Sequence, residues 1–277
     1  MNCQMIQRDE FLIKIDLGRT WEVLLNLTGR FINVYKGELT NSQVQVISAS
    51  NRDFFKGNEY CHIDYPKIID SNFVGGFFAI CILEKKPTNS FFTRMQKSNY
   101  EFPLPDPISY DKAITPTLTM ISILKDIIRN SNDKIILCKN NQDIKEISDN
   151  NKIGTILHIE GAEAISNNFD SLEILYELGL RSIGFVWSRS NIFGHGVPFA
   201  FPKSPDTGPG LSELGKTLVK KCNELKIIID LSHLNEKGFW DVAKISKSPL
   251  VATHSNAHEI CPHSRNLTNK QLEAIKD

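Results

Sequence analysis

Apolar and polar positions along this chain follow two alternating rhythms. Short, nearly continuous runs of apolar and β-branched residues recur at "FVGGFFAICIL" (73–83), "KIILCKN" (134–140), "GTILHIEG" (154–161), "LRSIGFVWS" (180–188), "IIIDLSH" (227–233) and "PLVATHS" (249–255). Runs of that length between turn residues predict buried strands. Between them, apolar residues return every three or four positions. "TPTLTMISILKDIIRNS" (115–131) predicts a helix with Pro116 in its first turn, and "DSLEILYELG" (170–179) one with an Asp start and a Gly stop. A short helix is expected around Ile144 to Ile147. "LSELGKTLVKKCNELK" (211–226) is the clearest helix, with Leu211, Leu214, Leu218, Cys222 and Leu225 on one face and lysines on the other. "NEKGFWDVAKIS" (235–246) and "LTNKQLEAIKD" (267–277) read as two more. Strands alternating with helices predict a parallel sheet with crossover helices, an α/β fold. A Pro-rich loop (101–110) and a Gly/Pro-rich excursion (189–210) sit where long βα loops of a barrel lie. No repeat or linker divides the chain, so residues 1–277 read as a single domain.

Composition narrows the class. Lys plus Arg equals Asp plus Glu at 32 each, so no basic footprint argues for nucleic acid. No run reaches the length of a transmembrane span, and the N-terminus lacks the apolar core of a signal peptide. The six cysteines are scattered, and Cys81 and Cys138 lie within strand-like runs. Such usage fits a reduced, cytoplasmic protein better than a disulfide framework.

Three polar residues each end a predicted parallel strand: Glu160 after "TILHI", His233 after "IIIDLS" and His254 after "PLVAT". The C-terminal strand ends are where barrel enzymes assemble their sites. Any one of the three is explained by a strand end meeting solvent. Together, one carboxylate and two imidazoles form a partial shell suited to zinc. His158 shares the Glu160 face by the two-residue period and reads as a supporting or core residue. Asp230 falls opposite Leu231 and His233 in an ideal strand and reads as structural.

The segments "HIEGAEA", "LYELGLRSIGFVWSRSNIFGHGVPF", "SPDTGPGLSELGK", "IIIDLSHLNEKGFWDV" and "PLVATHSNAHEICPHSRNLT" together resemble the membrane (renal) dipeptidase family of zinc metallopeptidases, in its bacterial branch. "FFKGNEYCHIDYPKI" and "NFVGGFFAICI" extend the likeness, which covers roughly residues 51 to 277. The resemblance implies a TIM-barrel-like (β/α)8 fold, two zinc ions and hydrolysis of dipeptides by water activated on the metal. By the same likeness Glu160 matches the carboxylate bridging the two zincs, and His233 and His254 match the imidazoles of the second. Arg265 matches the arginine that holds the substrate or its oxyanion, a role suited to a fixed guanidinium fork. Trp187 stands where many members place a substrate-binding histidine, with His195 nearby. His258 and His263 carry no ligand role.

Two departures accompany the likeness. Family members open with Asp-Gly-His-x-Asp, which binds the first zinc; "INVYKGELTN" offers Glu38 and Thr40 at the degenerate His and Asp positions. "HIDYP", with His62 and Asp64, imitates that motif but aligns with a later, non-ligating segment. The chain also stops at Asp277, before the last strands of the family barrel, so an incomplete barrel is expected. The base on those strands would be absent with them, and the chain alone is expected to show little or no dipeptidase activity. One zinc or none is expected here. A non-catalytic relic and a single-metal amidohydrolase are the alternative readings, and a homo-oligomer is compatible with all three.

Overall fold

A computed structural model describes residues 53–57, 63–71, 73–82, 94–95 and 97–276. Glu38, Thr40 and His62 lie outside the described residues. Among the described residues there are seven strands: β1 (Gly75–Cys81), β2 (Tyr100–Glu101), β3 (Ile135–Leu137), β4 (Ile153–Glu160), β5 (Leu180–Gly184), β6 (Ala200–Phe201) and β7 (Ile228–Asp230). The α-helices are α1 (Tyr65–Asp70), α2 (Tyr110–Arg129), α3 (Asn141–Asn150), α4 (Asp170–Leu178), α5 (Glu213–Leu225), α6 (Glu236–Ile245) and α7 (Asn269–Lys276).

The fold is α/β, built on a five-stranded parallel sheet. β4 is its axis. It pairs with β1 along residues 154–160, with β3 at its start and with β5 at its end. β7 follows β5. β2 and β6 form a separate antiparallel pair. Among the described residues the sheet does not close into a barrel.

Strand β4 is buried nearly throughout, which its unbroken apolar run requires. Phe78, Ile80, Leu157 and Ile159 join the large core with Met120 and Leu124 of α2 and Leu172 and Leu175 of α4. Each such side chain contributes about 1.5–3 kcal/mol by leaving water. The alternate positions, including Phe77, Ile156 and His158, share the Glu160 face by the period of two. β1 and β4 come close enough at Gly75 that an added Cβ would collide with the Gly154 carbonyl.

Helix starts follow side-chain chemistry. Asn140 accepts from the Gln142 and Asp143 amides while Asp143 accepts from the Asn140 amide, a reciprocal capping box. Ser212 and Asn235 cap α5 and α6 by accepting from Gly215 and Gly238.

Three local expectations need correction. Pro116 is interior, because α2 begins at Tyr110, a full turn earlier than the proline suggests. Packing of the apolar face outweighs the one backbone bond a proline removes. Asp170 opens α4 but does not cap it; Phe169, in the left-handed region, holds the cap position. "PLVATHS" forms no full strand: Val251 makes a single parallel bridge to Asp230. Its edge is held instead by side-chain bonds from Asp230.

Candidate metal centre

Glu160 is the last residue of β4, and its register partners are Cys81 and Gly184, so it stands at the C-terminal end of the sheet. His233 lies three residues past β7 in a left-handed conformation, φ 70°. Such a conformation is uncommon for a side chain larger than glycine and is held here by the surroundings. Beyond the strand end, it accompanies an imidazole that meets Glu160. His254 follows the Val251 bridge.

The three side chains converge. His233 Nε2 lies 2.8 Å and His254 Nε2 3.2 Å from Glu160 Oε1, and the two nitrogens are 2.9 Å apart. Three groups whose outward lone pairs meet at such spacing coexist only with a proton or a cation among them. All their ligand atoms fall within 4.8 Å of one another, and they form the one such group of three or more among the described residues. The outer imidazole nitrogens are also held: His233 Nδ1 meets Ser188 Oγ at 2.9 Å, and His254 Nδ1 meets Thr253 Oγ1 at 2.9 Å. Partners on the outer nitrogen orient a ligating imidazole and leave Nε2 free for a metal. One carboxylate and two imidazoles of this geometry fit a zinc ion.

Asp230 is not turned away from this centre, contrary to the ideal-strand expectation, because β7 ends at that residue. Its Oδ1 accepts the Ser232 and Thr253 amides and its Oδ2 accepts the Thr253 hydroxyl at 2.6 Å. It lies 3.8 Å from His158 Nε2 and 3.9 Å from His254 Nδ1. Burial alone would raise its pKa; His254, His158 and Thr253 outweigh burial and hold it below the ordinary value. His158 is buried, with Nδ1 2.9 Å from Ser182 Oγ and its ring edge-on to Phe77.

Arg265 approaches from the loop before α7. Its Nη2 donates to the His254 carbonyl at 3.4 Å, and its buried Nη1 has no hydrogen-bond partner. Burial lowers the guanidinium to about 10, opposed by Glu160 and Asp230, so it keeps its charge at neutral pH. The Trp187 ring stands 5.9 Å from the His233 ring, and Phe199 packs edge-on against both. Buried Arg189 donates to Glu163 at 3.0 Å and to the Ile82 carbonyl at 2.7 Å, tying the segments that follow β1, β4 and β5 together.

The family model for membrane dipeptidases (peptidase family M19) matches residues 30–277. The chain belongs to that family. The match begins before residue 51 and so takes in the stretch holding Glu38 and Thr40. A crystal structure of a metallo peptidase from Rhodobacter sphaeroides, liganded with a phosphinate mimic of the dipeptide L-Ala-D-Ala, superposes with a TM-score of 0.80 at 43% identity. That likeness covers 85% of this chain and 69% of that one. An uncharacterized protein in the PQQ-III 3′ region of Acinetobacter calcoaceticus is 39% identical over 78% of this chain and 67% of its own length. One in the pqqA 5′ region of Klebsiella pneumoniae is 48% identical over 57% of this chain and 58% of its own. The matches thus span about two thirds or less of these curated relatives.

Other residues of the family resemblance take plainer places. Asp64 caps α1 by accepting from the Lys67 amide and stands outside the ligand cluster. His195 meets Ser190 Oγ at 3.2 Å, and His258 meets the Lys203 carbonyl at 3.0 Å. His263 accepts from the Arg265 amide, which sets the loop carrying that arginine. The strand pattern gave no sign of Ser188 or Thr253 as partners of the imidazoles. Ser188 lies 45 positions from His233, and no spacing rule reaches that far. No described helix is long and apolar enough to cross a membrane.

The buried histidines make the centre acid-labile. Burial, helped by the Arg265 charge, pushes His233 down to about 3, and burial lowers His158 as well. Burial would raise Glu160, but its hydrogen bonds with His233 and His254 hold it well below the usual range. Between about pH 3 and the ordinary value of 6.5, the unfolded chain binds more protons at His233 than the folded one. Stability therefore rises with pH across that window and falls on acidification, and Glu160 adds to the loss in stronger acid. In chelator, urea unfolding at pH 4.5 should give a stability about 2–3 kcal/mol below that at pH 7.5. His233→Gln should remove much of the difference.

Proposed function

We propose that this chain carries the metal centre of a zinc-dependent dipeptidase. The observation that supports this most directly is the convergence of the Glu160, His233 and His254 ligand atoms within 4.8 Å. Family membership and the dipeptide mimic held by the Rhodobacter relative support the substrate class. When bound, zinc supplies a Lewis acid that polarises the scissile carbonyl and activates water. Arg265 then has a defined task. Its Nη1, buried without a partner, donates to the oxygen that becomes negative as the carbonyl is attacked. Trp187 and Phe199 form an apolar wall beside His233 and limit water around the reacting atoms.

A second ion would draw on Glu160 as a bridge and on the segment holding Glu38 and Thr40. Thr is a weak neutral ligand, so that position favours one ion over two. The test is zinc stoichiometry of the purified chain together with release of amino acids from L-Ala-D-Ala, with Glu160→Ala as the control. At least one zinc per chain and zinc-dependent hydrolysis, both lost in the control, are expected of a dipeptidase. Zinc binding without turnover of that dipeptide would favour the non-catalytic or amidohydrolase reading, and no zinc binding would remove the metal reading altogether.

A further inference from the structure

We infer that Thr253 is a positioning residue that locks His254 in the Nδ1–H tautomer, so that its Nε2 lone pair always faces the ligand centre. This rests on the metal-site reading given above for its functional meaning, but not for its geometry.

The inference follows from counting protons. A threonine hydroxyl has one proton to give and can also accept. Thr253 Oγ1 lies 2.6 Å from Asp230 Oδ2, and an ionised carboxylate only accepts, so the hydroxyl proton is spent there. Asp230 is suited to that role, because its other oxygen already accepts the Ser232 and Thr253 amides. Toward His254 Nδ1, 2.9 Å away, the hydroxyl can then act only as acceptor, and Nδ1 must carry the hydrogen. In a neutral imidazole that leaves Nε2 as a lone pair.

His233 is held differently. Its Nδ1 meets Ser188 Oγ, and among the described residues no other hydrogen bond commits the proton of that hydroxyl. Either His233 tautomer is compatible. In the metal-free protein, His233 Nε2–H fits between Glu160 Oε1 at 2.8 Å and His254 Nε2 at 2.9 Å. One imidazole is therefore fixed, and the other holds the proton that a cation displaces.

Without the Thr253 hydroxyl, His254 Nδ1–H would lose its acceptor. The proton would then be better placed on Nε2, 3.2 Å from Glu160 Oε1, where it blocks the ligand position. Thr253→Val removes the hydroxyl but keeps the backbone amide bond to Asp230, and Thr253→Ser restores the hydroxyl.

The test is long-range ¹H–¹⁵N NMR of the full chain with ¹⁵N-labelled histidine, assigned through His254→Gln, together with zinc titration. Wild-type His254 should be Nδ1–H both in chelator and with zinc. Thr253→Val should shift it toward Nε2–H and weaken zinc binding about 10–100-fold, with Thr253→Ser close to wild type. Nε2–H in the metal-free wild-type protein, or an unchanged tautomer and zinc affinity in Thr253→Val, overturns the inference. The wild-type spectrum decides even if the valine variant fails to fold. A wild type that shows the Nδ1–H tautomer but binds no zinc would sink the metal reading and leave the tautomer lock standing.

Discussion

Glu160→Ala is expected to lose stoichiometric zinc. Of the three converging donors it alone brings a formal negative charge, and both imidazole nitrogens face its Oε1. Its carboxyl is held well below the usual range despite burial, so the anion is ready at neutral pH without a proton to displace. A structural zinc site with four ligands is worth about 10–16 kcal/mol, or about 3 kcal/mol per ligand, so the loss amounts to about 10²–10³ in affinity. Deleting the side chain also leaves two nitrogens 2.9 Å apart with no acid oxygen between them. Glu160→Gln separates charge from shape, since its amide oxygen can still ligate; it should fall between wild type and alanine. Calorimetric zinc titration at pH 7.5 gives both numbers. Wild-type affinity in the alanine variant would place the metal elsewhere or nowhere.

Arg265→Met should weaken a phosphinate dipeptide mimic, and lower kcat/KM wherever turnover is measurable, by about 10²–10³, the usual loss for one donor to a developing oxyanion. Folding stability should respond in the opposite sense or not at all. Arg265 Nη1 is buried without a partner, and its Nη2 bond to the His254 carbonyl is long at 3.4 Å. An unpaired buried donor costs about 1–3 kcal/mol, which a methionine of similar length does not incur. The zinc-loaded variant should therefore melt no lower than wild type while binding the mimic poorly. A large drop in melting temperature with unchanged binding would mean that Arg265 is a scaffold residue.

Much of the fold was legible along the chain. Buried parallel strands are continuous apolar runs; β1, β3, β5 and β7 each fall inside one, and β4 begins one residue before its run. Helices α4 and α5 carried the right period, and the glycine stop of α4 is the cap residue Gly179. Where local signals misled, tertiary packing won. Pro116 reads as a helix start, yet α2 extends before it, with Ala113 of the preceding turn buried. "PLVATHS" reads as a strand, yet its pairing is one bridge supplemented by the Asp230 side chain.

Sequence alone determined the fold class, the family and the residue types at three strand ends, because these follow from short-range period and from motifs. Whether Glu160, His233 and His254 meet depended on register across β4, β5 and β7 and on the left-handed backbone at His233. The outer partners were settled still further from the local chain: Ser188 reaches His233 across 45 positions, and Asp230 reaches Thr253 across 23. A two-residue period carries a side chain's direction only while the strand lasts. At Asp230 the strand stops, and from there the positions of the ligands and their hydrogen-bond partners were decided by tertiary packing.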